Sequence, residues 1–197
     1  FKDIAQAARW ACEAYLWHAQ PLKSVVAALQ GSEIASALGD KALQSYFLAV
    51  FGMIAGLIPL REVSRQLLER GNRLVTGFSH SRAELDFRRI ASVLHLNAAN
   101  WELAKQQLDA LIALARKFGD EHSLLFGLGT YTLASIRQAD EAALEIFGTE
   151  LHNRARKNHS DQFARAYPLN RSVNALRQGD AESAQRWLKE AEPYIQK

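Results

Sequence analysis

The chain has 197 residues, 48% of them apolar and 23% charged, with a formal net charge of +3 and a sequence pI near 9.1. That balance excludes a disordered or collagen-like chain, and the mild basicity falls short of the clustered excess expected of a nucleic-acid binder. The single cysteine, Cys12, excludes an internal disulfide and fits a reducing compartment, so a cytoplasmic setting is expected.

The apolar residues of the opening are interrupted by Lys2, Asp3, Arg9 and Glu13, unlike the apolar stretch of a signal peptide. Because the first residue is Phe1, the chain is expected to be part of something longer. Gln20-Pro21 ends a first helical stretch, and Pro21 suits the first turn of a second helix. Gly39-Asp40 closes that second helix. Next comes SYFLAVFGMIAGLIPL, Ser45 to Leu60, sixteen residues without a charge. It falls short of the roughly 20 apolar residues that span a bilayer, and Pro59 and Arg61 end it, so no membrane segment is expected. A helix apolar on all sides belongs in a core. The competing reading makes Tyr46, Ala49 and Met53 the floor of a groove.

Beyond Leu60 the breaks continue at Phe78-Ser79, Asn97 to Asn100, Gly119-Asp120, Gln138 to Asp140, His159-Ser160 and Gln178 to Asp180. The chain is therefore punctuated about every twenty residues, and breaks of one kind recur about every forty. Between them the apolar residues keep a helical period, as in Leu103, Leu108, Leu111, Ile112 and Ala115, and nothing alternates as a strand does. Asn100, Asp140 and Asp180 stand where helix caps belong, and Pro168 falls inside a helix, where a kink or a late start is expected.

The forty-residue register can be read in columns. Positions 12, 52, 92, 132 and 172 hold Cys, Gly, Ser, Thr and Ser; twelve residues on, positions 24, 64, 104, 144 and 184 hold Ser, Ser, Ala, Leu and Ala. Small residues on both helices of a pair let the two backbones approach. Bulky residues hold other columns: Leu16, Leu96, Ile136 and Leu176 in one, with Gly56 as the exception, and Leu68, Leu108 and Leu188 in another. The expected fold is all-α, an α-α superhelix of about five antiparallel helix pairs in a single domain. Its repeats would cover about 1–40, 41–80, 81–120, 121–160 and 161–197.

A small residue followed by another twelve on, at the start of the second helix, is the tetratricopeptide spacing. ALARKFGDEHSLLFGLGTYTLAS and ALRQGDAESAQRWLKEAE resemble the forty-residue tetratricopeptide variant of MalT-like regions in LuxR-type signal-transduction ATPases and related bacterial regulators. The resemblance implies a solenoid whose first helices line a concave groove. Three groove columns follow from it: Gln6, Tyr46, Asp86, Phe126 and Ala166; Arg9, Ala49, Arg89, Gly129 and Leu169; and Trp17, Leu57, Asn97, Arg137 and Arg177. In that register Tyr46, Phe126 and Trp17 form an aromatic floor with Met53 near it, Arg89, Arg137 and Arg177 form a cationic rim, and Arg9, Asp86 and Asn97 complete the lining.

The search for chemistry yields no enzyme. No phosphate-binding loop occurs, and GFSHS, Gly77 to Ser81, lacks the second glycine of a nucleophile elbow. His152 and His159 lie seven apart without a further ligand at metal spacing, so neither a metal nor a cofactor is expected. The basic residues Arg154, Arg156, Lys157, Arg165, Arg171 and Arg177, and a second group of Arg82, Arg88 and Arg89 with Glu84 and Asp86 among them, read as solvated faces rather than a nucleic-acid surface. The expectation is a non-catalytic sensor and interaction region of a larger bacterial regulator. Its groove would take a partner protein, a peptide or a small effector, and the uncharged second repeat offers a route to a homodimer. The alternative is a stand-alone adaptor without an effector.

Overall fold

The computed structural model describes residues 1–18, 20–58, 60–77 and 81–195, leaving aside the side chains of Leu16, Trp17, Pro21 and Leu57. Among these residues the chain is helical, with no strand. The helices are α1 (Lys2–Trp17), α2 (Pro21–Ala37), α3 (Lys41–Leu57), α4 (Arg61–Thr76), α5 (Arg82–Asn97), α6 (Trp101–Phe118), α7 (Glu121–Gln138), α8 (Glu141–Lys157), α9 (Asp161–Ala164), α10 (Ala166–Arg177) and α11 (Ala181–Ala191), followed by a 3-10 turn, Glu192–Tyr194. The even-numbered helices up to α8 begin at residues 21, 61, 101 and 141, and α11 begins at 181, so the forty-residue period holds along the chain. No helix among the described residues is long and apolar enough to cross a membrane.

Turn chemistry sets that period. Gly39, Ala99, Gly119, Ala139, His159 and Gly179 all have positive φ, between 52° and 79°. The next residue in each case, Asp40, Asn100, Asp120, Asp140, Ser160 or Asp180, donates its backbone N–H to a carbonyl five residues back at 2.9 Å. This is a Schellman ending, which satisfies the last carbonyls of one helix. Asp40, Asp120, Asp140 and Asp180 then accept from the backbone N–H three residues on, at 2.9–3.0 Å, and Ser81 does the same for Glu84 at 3.2 Å. One aspartate thus closes a helix with its backbone and opens the next with its side chain. The expected breaks at Pro59 and at Phe78-Ser79, with most of GFSHS, lie outside the described residues.

The contacts group into two compact units, Phe1–Asn100 and Trp101–Lys197. In the first, α3 packs against α1, α2, α4 and α5. Tyr46, Phe47, Ala49 and Val50 of the uncharged stretch are buried, joined by Cys12, Ala28, Leu68, Phe87 and Ile90. Core, rather than groove floor, is the role of this helix, and Met53 packs half-buried against the same cluster.

In the second unit α7 packs against α6, α8 and α10, around Leu108, Leu111, Leu128, Leu144 and Leu151. Pro168 has the expected effect: the first helix of the last pair is broken into α9 and α10 at Arg165. Proline has no N–H for the Ala164 carbonyl one turn back. His152 Nδ1 donates to that carbonyl instead, at 2.9 Å.

Both small-residue columns are buried throughout, Cys12, Gly52, Ser92, Thr132 and Ser172 in one and Ser24, Ser64, Ala104, Leu144 and Ala184 in the other. The bulky columns hold less well. Leu68 and Leu108 are buried, whereas Leu176 and Leu188 face solvent in the last pair.

Candidate functional site

Of the residues assigned to a groove, those of the first unit converge. Arg9 on α1, Tyr46 on α3, and Asp86 and Arg89 on α5 meet with Glu13 of α1. Arg9 Nη2 pairs with Asp86 Oδ1 at 2.8 Å, and Arg89 Nη2 pairs with Glu13 Oε1 at 2.7 Å. The Arg9 guanidinium also lies 5.0 Å from the centre of the Tyr46 ring and 5.8 Å from that of Trp10. Gln6, with its amide turned to accept, takes hydrogen bonds from Arg9 Nη1 at 2.9 Å and Trp10 Nε1 at 3.2 Å.

The cluster is half-closed. Tyr46 and Arg89 retain 3% and 7% of their exposure, while Arg9 and Glu13 keep side-chain exposures of 18% and 22%. Burial pushes the Tyr46 phenol far above its ordinary range, with Cys12 and Glu13 adding to the rise and Arg9 and Arg89 opposing it. Tyr46 is therefore a neutral hydroxyl at any physiological pH. Burial likewise pushes the Asp86 carboxyl up, against the pull of Arg9 and Arg89. Arg9 Nε is buried with no hydrogen-bond partner among the described residues. Two cations and two anions cancel here, so Arg89 is an internal ion-pair member and not the exposed rim cation expected from its column. Glu13 was the residue the columns missed. Its position four residues after Arg9, on the same face of α1, is the signal that could have found it.

Asn97 is exposed at the end of α5, and the side chain of Trp17 lies outside the described residues. In the second unit Phe126 is half-buried on α7 and Arg137 is exposed near its end. Arg177 Nη1 donates to the Ile136 carbonyl, covering the negative end of α7.

Several of the basic residues pair with carboxylates. Arg88 meets Glu84 at 2.9 Å; Arg154 meets Glu150 at 2.8 Å and Glu121 at 3.3 Å; Arg171 meets Glu145 at 3.2 Å.

Cys12 is fully buried, its thiol pushed up by burial, with Ser24 Oγ 3.2 Å from its sulfur. Its small side chain packs between α1 and α2 in the first small-residue column. Among the described residues no three His, Cys, Asp or Glu side chains gather to hold a metal. Comparison with protein-family models, with curated proteins and with solved structures returns no match to this chain.

Proposed function

We propose that this chain is a non-catalytic binding and sensing module of the tetratricopeptide-like class, the helical-repeat region of a larger cytoplasmic bacterial regulator. What it captures is a partner protein or peptide through a carboxylate. The observation that supports this reading most is the convergence of Arg9, Glu13, Tyr46, Asp86 and Arg89 from three successive first helices, with one guanidinium nitrogen, Arg9 Nε, lacking a hydrogen-bond partner among the described residues. A guanidinium binds a carboxylate through two parallel N–H donors, and the exposed ring of Trp10, 5.8 Å from the Arg9 guanidinium, adds contact area at small entropic loss. A ligand carboxylate would enter at the more exposed Arg9 and compete with Asp86 for it. The forty-residue period of the helix starts supports the repeat class, in which a paired-helix unit recurs along the chain.

The test is calorimetric titration with a set of short peptides, each made with a free C-terminal carboxylate and as the amide. The free-acid forms should bind more tightly, and Arg9→Gln should remove the difference. Equal affinities for acid and amide, or none for either, would overturn the reading.

A further inference from the structure

The exposed face of α1 and α2 carries the positions that α3 uses to pack on α2. Inside the first unit, α3 meets α2 with Phe47 against Gly31, where an added Cβ would run into the ring, and Gln44 Nε2 donates to the Ala35 carbonyl at 3.1 Å. Forty residues earlier, the places of Gln44, Phe47, Leu48 and Phe51 are taken by Ile4, Ala7, Ala8 and Ala11. These four line a groove of about 750 Å³ between α1 and α2. Where α3 presents rings to a neighbour, α1 presents alanines, and the surface is hollow instead of filled.

Knobs stand beside the hollow. Leu22 is 81% exposed, and Ile4 and Val26 are each 54% exposed. A surface holding both its knobs and its holes is what an isologous contact about a two-fold axis needs. The charges share that symmetry. Lys23 and Glu33 border the groove on α2, ten residues apart, which is on the order of 15 Å along a helix. Two antiparallel α2 helices centred near Ala28 would set each Lys23 opposite the partner's Glu33.

We propose that this face joins two copies of the chain: α2 packs antiparallel on its counterpart, Leu22 and Val26 of each copy enter the alanine floor of the other, and two Lys23–Glu33 pairs clamp the rims. The uncharged stretch within α3, the candidate for self-association read from the sequence, has Tyr46, Phe47, Ala49 and Val50 buried inside the first unit.

Sedimentation velocity across a concentration series tests it. The wild-type chain should shift from monomer to dimer, with tighter association at low salt. Lys23→Glu or Glu33→Lys alone should weaken dimerisation about tenfold, because each places like charges together, and the double exchange should restore it. Val26→Glu should leave a monomer with unchanged helical circular dichroism. A wild-type monomer at every concentration would overturn the proposal, as would a dimer indifferent to Val26→Glu or a double exchange without rescue. A monomeric chain whose groove takes up an apolar helix of another protein would overturn it too.

Discussion

Ser64 Oγ donates to the Gly52 carbonyl at 2.7 Å, and the same bond occurs forty residues earlier, where Ser24 Oγ donates to the Cys12 carbonyl at 3.0 Å. Each joins the second helix of a pair to the first at a separation of twelve, at the point where two small residues bring the backbones together. The serine hydroxyl bonds a carbonyl in a space too small for a larger group. Ser64→Ala should therefore cost about 1 kcal/mol through the lost buried hydrogen bond. Ala104→Leu and Ala184→Leu, at buried positions of the same column, should each cost roughly 1–3 kcal/mol by overpacking. Urea melts measure all three, and a column variant with unchanged stability would remove the column's packing role.

Volume is traded between neighbouring pairs at a second place. Gly31 faces Phe47 and Gly71 faces Phe87, where a Cβ on Gly71 would sit 2.8 Å from the ring. In the second unit the sizes are reversed, with Leu111 against Gly127. Gly71→Ala should destabilise by about 1–3 kcal/mol, since Phe87 is only 1% exposed and has no room to withdraw. Adding Phe87→Leu should make the double variant more stable than the sum of the single changes predicts. Strict additivity in a double-mutant cycle would count against the contact.

Ala139 holds a left-handed backbone, with φ of 56°, at a turn where the equivalent Gly119 and Gly179 have no Cβ to accommodate. Ala139→Gly should raise stability by about 1 kcal/mol, because relief of the left-handed strain outweighs the added freedom of the unfolded chain. Gly119→Ala should do the opposite. Thermal melts that rank the two variants the other way would show that these turns are not under the strain described.

Burial lowers the His95 pKa, and His95 Nδ1 has no hydrogen-bond partner among the described residues. The unfolded chain therefore takes up a proton near the ordinary value of 6.5 that the folded chain refuses. Its contribution to stability is complete above that value and is lost as the pH falls through the lowered folded value. His95→Gln should accordingly lose less stability than wild type between pH 7 and pH 5. Parallel pH slopes for the two proteins in denaturant melts would assign the loss to other groups.

Helices, their period and most of their ends were legible in the residues alone. A glycine followed by an aspartate, as at Gly39-Asp40 and Gly119-Asp120, encodes a left-handed stop and a capped restart within two positions, and such local chemistry needs no partner from far along the chain. The small columns were legible for a related reason: a backbone separation that recurs every forty residues sets a similar size limit at most repeats, with Leu144 the exception. The candidate site was legible only as a set of positions. Arg9, Tyr46, Asp86 and Arg89 were named from their columns, but Arg89 was assigned to an open rim and Glu13 was not named at all. The pairing of Arg9 with Asp86 and of Arg89 with Glu13 depends on how α1 and α5 lie across α3. That geometry arises from core packing around Phe47 and Phe87, where the volumes of side chains distant in sequence, and not any local signal, decide which charges meet.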